Sequence, residues 1–186
     1  MGVGEMIRTA VRQPGVRRLV VGLGGSATND AGAGILQALG WRLLDSTGND
    51  IGPGGIGLHA LHRVRPPRMS VIPDDITVTI AVDVDNPLVG PGGASAVFGP
   101  QKGADPSMVA RLDCALSRFR DCVGRDDFPG AGAAGGAAFG LRVAFPGARF
   151  RPGIELVMET VGFDGLLEHA SLVVTTAALT HISHTL

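Results

Sequence analysis

Apolar residues recur along this chain with two different periods, and each change of period marks a change of element. In "GVGEMIRTAVRQPG", Met6, Ile7, Ala10 and Val11 share one helical face and Pro14-Gly15 stops the run. "RRLVVGL", Arg17 to Leu23, reads as a buried strand. A helix is expected from about Thr28 to Leu39 with Ile35, Leu36 and Leu39 facing inward. A second strand covers Trp41 to Asp45, followed by the turn "STGND". Glycines and prolines punctuate Gly52 to Pro73, which leaves room for a short helix around Gly57–His62. "DITVTIAVDV", Asp75 to Val84, alternates and is β-branched, which predicts a strand.

"DNPLVGPGGASAVFGPQKGA" follows as a long loop, and loops of that length inside a domain are usually functional or disordered. "DPSMVARLDCALSRFRDCV" predicts a helix with Asp105 as its cap and Pro106 in the first position. Its apolar stripe is Met108, Leu112, Ala115, Phe119 and Cys122. The glycine-rich stretch Gly130 to Gly140 reads as a third loop, before helices near Pro152–Val161 and Asp164–His169 and a last strand over Ser171–Thr176. Strands alternating with helices predict an α/β fold.

Composition narrows the function. The chain has 186 residues, 45% of them hydrophobic, and a net charge of −1 with no basic run. That excludes the electrostatic footprint of a nucleic-acid binder, and 4% aromatics with no Tyr leaves no base-stacking platform. No apolar run is long enough to span a bilayer, so a soluble protein without a membrane partner is expected. Cys114 and Cys122 lie roughly 12 Å apart along a helix axis, too far for a disulfide, which fits a reducing cytoplasm. Of sixteen basic residues only Lys102 is a lysine. A compact point charge in so Arg-biased a chain suggests a site that needs one.

Three loops can carry chemistry. "GLGGSATNDAGAG", Gly22 to Gly34, joins a strand to a helix, so its amides form an anion site and Ser26, Thr28 and Asn29 can bond hydroxyls. A capped turn explains the same residues. "GLGGSA" also fits a dinucleotide fingerprint, with Asp45 as the ribose acid, which would suit a dehydrogenase. Asp30 opposes that reading, because a carboxylate about 4 Å from a phosphate costs roughly 4 kcal/mol at an effective dielectric near 20. Asp83 and Asp85 alternate with valines and point to one face, where paired carboxylates can hold Mg²⁺ or handle a hydroxyl proton. An Asp-Asn-Pro turn is the alternative. "GAGAAGGAAFG" suits close packing better than a phosphate cradle, since no Lys-Ser or Lys-Thr follows it. The histidines show no metal spacing, and His59, His62, His181 and His184 read as surface residues.

Four stretches in order resemble the glycerate kinase family of bacterial sugar-acid metabolism: "GLGGSATNDAGAGILQALGWRLLDSTG", "AVDVDNPLVGPGGASAVFGPQKGADP", "PGAGAAGGAAFG" and "RPGIELVMETVGFD". The resemblance implies ATP-dependent, Mg²⁺-assisted phosphorylation of D-glycerate in a cleft between two α/β domains, one inserted in a Rossmann-like other. By it, about 40–150 form the inserted domain, and 1–39 and 151–186 are fragments of an incomplete Rossmann-like partner domain. It implies glycerate contacts from Gly24, Gly25, Ser26, Thr28 and Asn29, and catalytic roles for Asp30, Asp83 and Lys102. Asp83 and Asp85 would hold the metal, and Gly132, Gly135 and Gly136 the phosphates. The chain resembles the interior of the family's, which begins earlier and continues after "SLVV" with glycine-rich motifs. Impaired activity, a non-catalytic remnant or a homo-oligomer binding a small acid are the corresponding expectations.

Overall fold

The computed structural model describes residues 1–69, 71–73, 75–172 and 174. It divides into two compact units, Met1–Gly153 and Ile154–Leu186. In the first, β1 (Arg18–Gly22), β4 (Thr77–Ala81) and β5 (Arg149–Arg151) form a parallel sheet with β4 in the middle. Register runs from Arg18 opposite Thr77 to Gly22 opposite Ala81, and Ile80 faces Phe150 on the other side. The β-branched alternation of β4 suits this place, where Val78 and Ile80 are buried. β1, expected to be buried, is an edge strand with Val20 59% exposed. The sheet therefore draws strands from both sides of the boundary expected near residue 40.

A separate antiparallel pair joins β2 (Arg42–Leu44) to β3 (Arg63–Arg65). Asp45 does not end a strand of the parallel sheet. Its Oδ1 accepts from the Thr47 hydroxyl at 2.7 Å and from the Thr47 and Asn49 amides at 2.8 and 3.0 Å. The Thr47 hydroxyl, then the backbone amides, hold its carboxyl below the ordinary value. An acid committed to its own turn is not placed for a ribose, which removes the dinucleotide reading.

Helices α1 (Gly2–Ala10) and α2 (Ala33–Ala38) cross where Gly4 lies against the backbone of Ile35. Ile7 and Val11 are buried as expected, whereas Met6 points outward at 72% exposure. α4 (Pro106–Val123) keeps its sequence signals: Asp105 Oδ1 accepts from the Met108 amide at 2.8 Å, and Leu112, Ala115 and Phe119 are buried. Phe119 meets Phe139 edge-on, with ring centroids 5.8 Å apart. Phe139 belongs to α5 (Ala133–Ala144), a helix where the glycines read as a loop. Its first turn is left-handed at Ala134, Gly135 and Gly136, and regular winding follows. The long loop after β4 also contains a helix, α3 (Ala94–Phe98), and a 3₁₀ turn over Pro100–Lys102.

One apolar cluster gathers Leu36, Leu43, Leu58, Leu61, Leu116, Phe119 and Phe139; the other gathers Ile7, Ile35, Leu39, Ile80 and Leu141. α2 and α5 contribute to both and so tie the sheet to the helical side. In the second unit the helices are α6, which starts at the boundary (Gly153–Val161), and α7 (Phe163–Leu167). The strand expected over Ser171–Thr176 and the residues His181 and His184 fall largely or wholly outside the described residues. Among the described residues no helix is long and apolar enough to cross a membrane.

Candidate functional site

β1 hands the chain directly to the glycine-rich loop, and the Leu23 amide still donates to Ala81 at 3.0 Å. Helix α2 starts later than expected, so Thr28 to Asp30 belong to the loop. Asp30 is 8% exposed, and its two oxygens take the Gly32 and Gly34 amides at 3.0 and 3.1 Å. Its first structural task is therefore to satisfy orphan donors at the start of α2. A carboxylate offers about four lone-pair directions, so two amides do not exhaust it.

Lys102 comes to this loop from the 3₁₀ turn. Its Nζ donates to the Ser26 hydroxyl at 3.1 Å and to the Thr28 carbonyl at 2.6 Å. Burial pushes its pKa down from the ordinary 10.5, and the nearby charge of Asp30 pulls it back up. Both oxygens it holds are neutral, so its charge remains available to an anion. Ser26, Thr28, Asn29, Asp30 and Lys102 thus lie together. Ser95, in α3, was not foreseen. It is fully buried and accepts the Asn29 side-chain amide at 3.0 Å, while Asn29 Oδ1 is buried with no hydrogen-bond partner among the described residues.

Two cavities meet at Lys102. One, of about 290 Å³, is lined by Thr28, Asn29, Asp30, Gly55, Lys102 and Leu112, among others. The other, of about 200 Å³, is lined by Gly24, Gly25, Ser26, Val84, Phe98 and Lys102, among others. A third space of about 180 Å³ lies between Trp41, Pro67, Ile72 and Phe145, has no charged lining residue, and touches none of the expected positions.

Asp83 and Asp85 flank Val84 but line neither of the two cavities at Lys102. Both are exposed, and Asp83 Oδ1 accepts the Gly153 amide at 2.7 Å. Among the described residues no three His, Cys, Asp or Glu side chains gather to hold a metal.

The phosphate role expected for Gly132, Gly135 and Gly136 needs correcting. The Gly132 amide donates to Asn86 at 2.9 Å and the Gly136 amide to Gly132 at 3.1 Å. Gly135 turns its carbonyl to the Ala31 amide at 3.0 Å. All three are buried, and a Cβ on Gly135 would collide with the Thr28 carbonyl. Gly135 and Gly136 let α5 press against the opening loop, while Gly132 packs on Asn86, Pro87 and Ala94.

Acidic side chains hold the other loop. Asp127 accepts the Leu88 amide at 2.9 and 3.0 Å, and Asp113 accepts the Gly90 amide at 3.0 Å. Neither was singled out from the sequence; Asp113 lies on α4 and Asp127 follows it. The unpaired amides of a Pro- and Gly-rich loop were the available signal.

Residues 1–179 match the sequence model of the glycerate kinase family. The chain belongs to that family. It is similar to the glycerate kinase of Bacillus subtilis (strain 168), at 45% identity over 180 residues, covering 94% of this chain and 47% of that one. It is 42% identical to the glycerate 2-kinase of Escherichia coli (strain K12), with the same coverage. A crystal structure from Salmonella typhimurium LT2, assigned as glycerate kinase 2, superposes with a TM-score of 0.80 at 47% identity, covering 91% of this chain and 46% of that one. The α/β fold is thus that of a glycerate kinase family member. The chain spans about half the length of the relatives it matches.

Proposed function

We propose that this chain contributes to ATP-dependent phosphorylation of D-glycerate. The observation that carries this reading is Lys102, bound to Ser26 and Thr28 and sharing a cavity wall with Asp30. Glycerate offers a carboxylate and two hydroxyls. The loop from Gly24 to Asp30 offers Thr28 and Asn29 for the hydroxyls, and Lys102 offers a cation. In the reaction a glycerate hydroxyl oxygen bonds to the γ-phosphorus as the bond from phosphorus to the bridging oxygen breaks. ADP leaves with the electron pair, and the hydroxyl proton passes to a carboxylate. Asp30 is the carboxylate on the cavity wall, with lone pairs to spare. Lys102 would steady negative charge on the moving phosphoryl group, since such transfers depend on positioning and electrostatics. Asp83 and Asp85 would hold Mg²⁺, which when bound neutralises phosphate charge.

The relatives are about twice as long, so the 186-residue polypeptide alone is expected to turn over slowly. If the rest of the relatives' length supplies two transition-state contacts of roughly 3 kcal/mol each, their loss corresponds to about ten-thousandfold. The test is ADP release dependent on D-glycerate, beside the full-length Bacillus subtilis relative. Turnover within tenfold of that control would show that these residues suffice. Calorimetry with D-glycerate alone tests the binding half of the reading. No binding by the folded chain, or undiminished binding to Lys102→Met, would refute the assignment of this site.

A further inference from the structure

The ammonium of Lys102 stands in the wall of two cavities that differ in charge. The larger is lined by Asn29 and Asp30; the smaller has no carboxylate among its lining residues. Around the smaller one the backbone is open at Gly24 and Gly25, where among the described residues no atom lies within 4 Å of a Cβ position.

We propose that the smaller, carboxylate-free cavity is the phosphoryl-side subsite, that the Asp30 cavity takes the hydroxyl side, and that Lys102 is the partition they share. This rests on the kinase reading and adds which side takes which end of the reaction. Charge decides the assignment. A phosphate carrying up to two charges is repelled beside Asp30 more strongly than the single carboxylate of glycerate, whereas across the partition it meets the same ammonium without a carboxylate in the wall. An ammonium has three donors, and Lys102 gives two of them to Ser26 and Thr28, leaving one for an incoming oxygen. Exposed Gly24 and Gly25 let an anion approach main-chain amides closely, which a side chain there would prevent.

The sole lysine makes the test direct. In the 186-residue chain labelled with ¹⁵N-lysine, the side-chain signal comes from Lys102 alone. Inorganic phosphate is expected to shift that signal saturably, and glycerol to shift it by a separate, additive amount. Gln101→Glu places a carboxylate in the wall of the smaller cavity, and Met108→Trp fills the larger one; both positions are exposed. Gln101→Glu should weaken the phosphate response at least about tenfold and leave the glycerol response unchanged. Met108→Trp should do the reverse, with phosphate affinity changed by less than about twofold. Should either variant melt early, Gly24→Val supplies a second obstruction of the smaller cavity. No phosphate response, or one lost in Met108→Trp rather than Gln101→Glu, overturns the assignment. D-Glycerate binding that survives such a result leaves the kinase reading standing. A chain that follows the phosphate pattern but ignores D-glycerate separates the two the other way.

Discussion

Two glycine-rich stretches face one another in this protein, and their glycines have opposite causes. Gly135, Gly136 and Gly140 are buried and pressed on the backbone of residues 28–32; a Cβ on Gly136 would lie 2.7 Å from the Ala31 Cα, and one on Gly140 would lie 2.8 Å from the Gly32 Cα. Gly24 and Gly25 are exposed with empty space around them. The first group is glycine because the fold leaves no room. The second is not constrained by neighbouring atoms, and Gly25 alone of that pair is held by its backbone, at φ +59°. By composition the first suits close packing better and the second an anion site, and the family resemblance implies ligand contacts for both. Space around the Cβ position separates a support from a surface where something can bind.

The sharpest way to break this contrast is Gly135→Ala. A collision with the Thr28 carbonyl is added to a left-handed backbone at φ +70°. The expected cost is about 3 kcal/mol or more, a fall in Tm of roughly 6–12 °C. A calorimetric scan that shows no fall would mean that the two stretches are not packed as described. Asp30→Asn comes next. An amide NH₂ would then face one of the two backbone N–H groups, at a cost of about 1–3 kcal/mol. Melting unchanged in this variant would remove the anchoring role and leave Asp30 to chemistry alone. Gly24→Val should stay within about 0.5 kcal/mol of the parent while weakening the phosphate response. A large loss of stability there would put Gly24 in the supporting class.

The smallest effect is on titration. The Lys102 ammonium should titrate below 10.5 in the folded chain, and lower still in Asp30→Asn, which removes the charge that opposes burial. Between the folded value and 10.5 the unfolded chain binds more protons. Stability contributed by this residue therefore rises with pH across that window, and Lys102→Gln should flatten the rise. A ¹⁵N titration with its midpoint at or above 10.5 would contradict the burial of the ammonium.

Sequence signals located what is set by local chemistry. The α4 helix carried its cap, its leading proline and its stripe in plain order, and β4 alternated as a central strand should. The convergence of Ser26, Thr28, Asn29, Asp30 and Lys102 was legible through the family resemblance, but the bonds that make it were not. α5 was missed because glycine is among the poorest helix formers, and tertiary packing overrides that preference here. β5 has three residues, two of them arginines, so no periodicity could show. Ser95 was hidden because its partner Asn29 lies 66 positions away.

The left-handed start of α5 bears on how the chain acquires its shape. A turn that reverses hand at Ala134, Gly135 and Gly136 gains little from its own hydrogen bonds, so it cannot nucleate the helix unaided. Its anchor is the bond from the Ala31 amide to the Gly135 carbonyl, between segments about a hundred positions apart, which makes it a contact of high sequence separation. The first turn of α5 and the opening loop therefore depend on one another for their shape. During synthesis, the loop after β1 must wait for the ribosome to deliver its support.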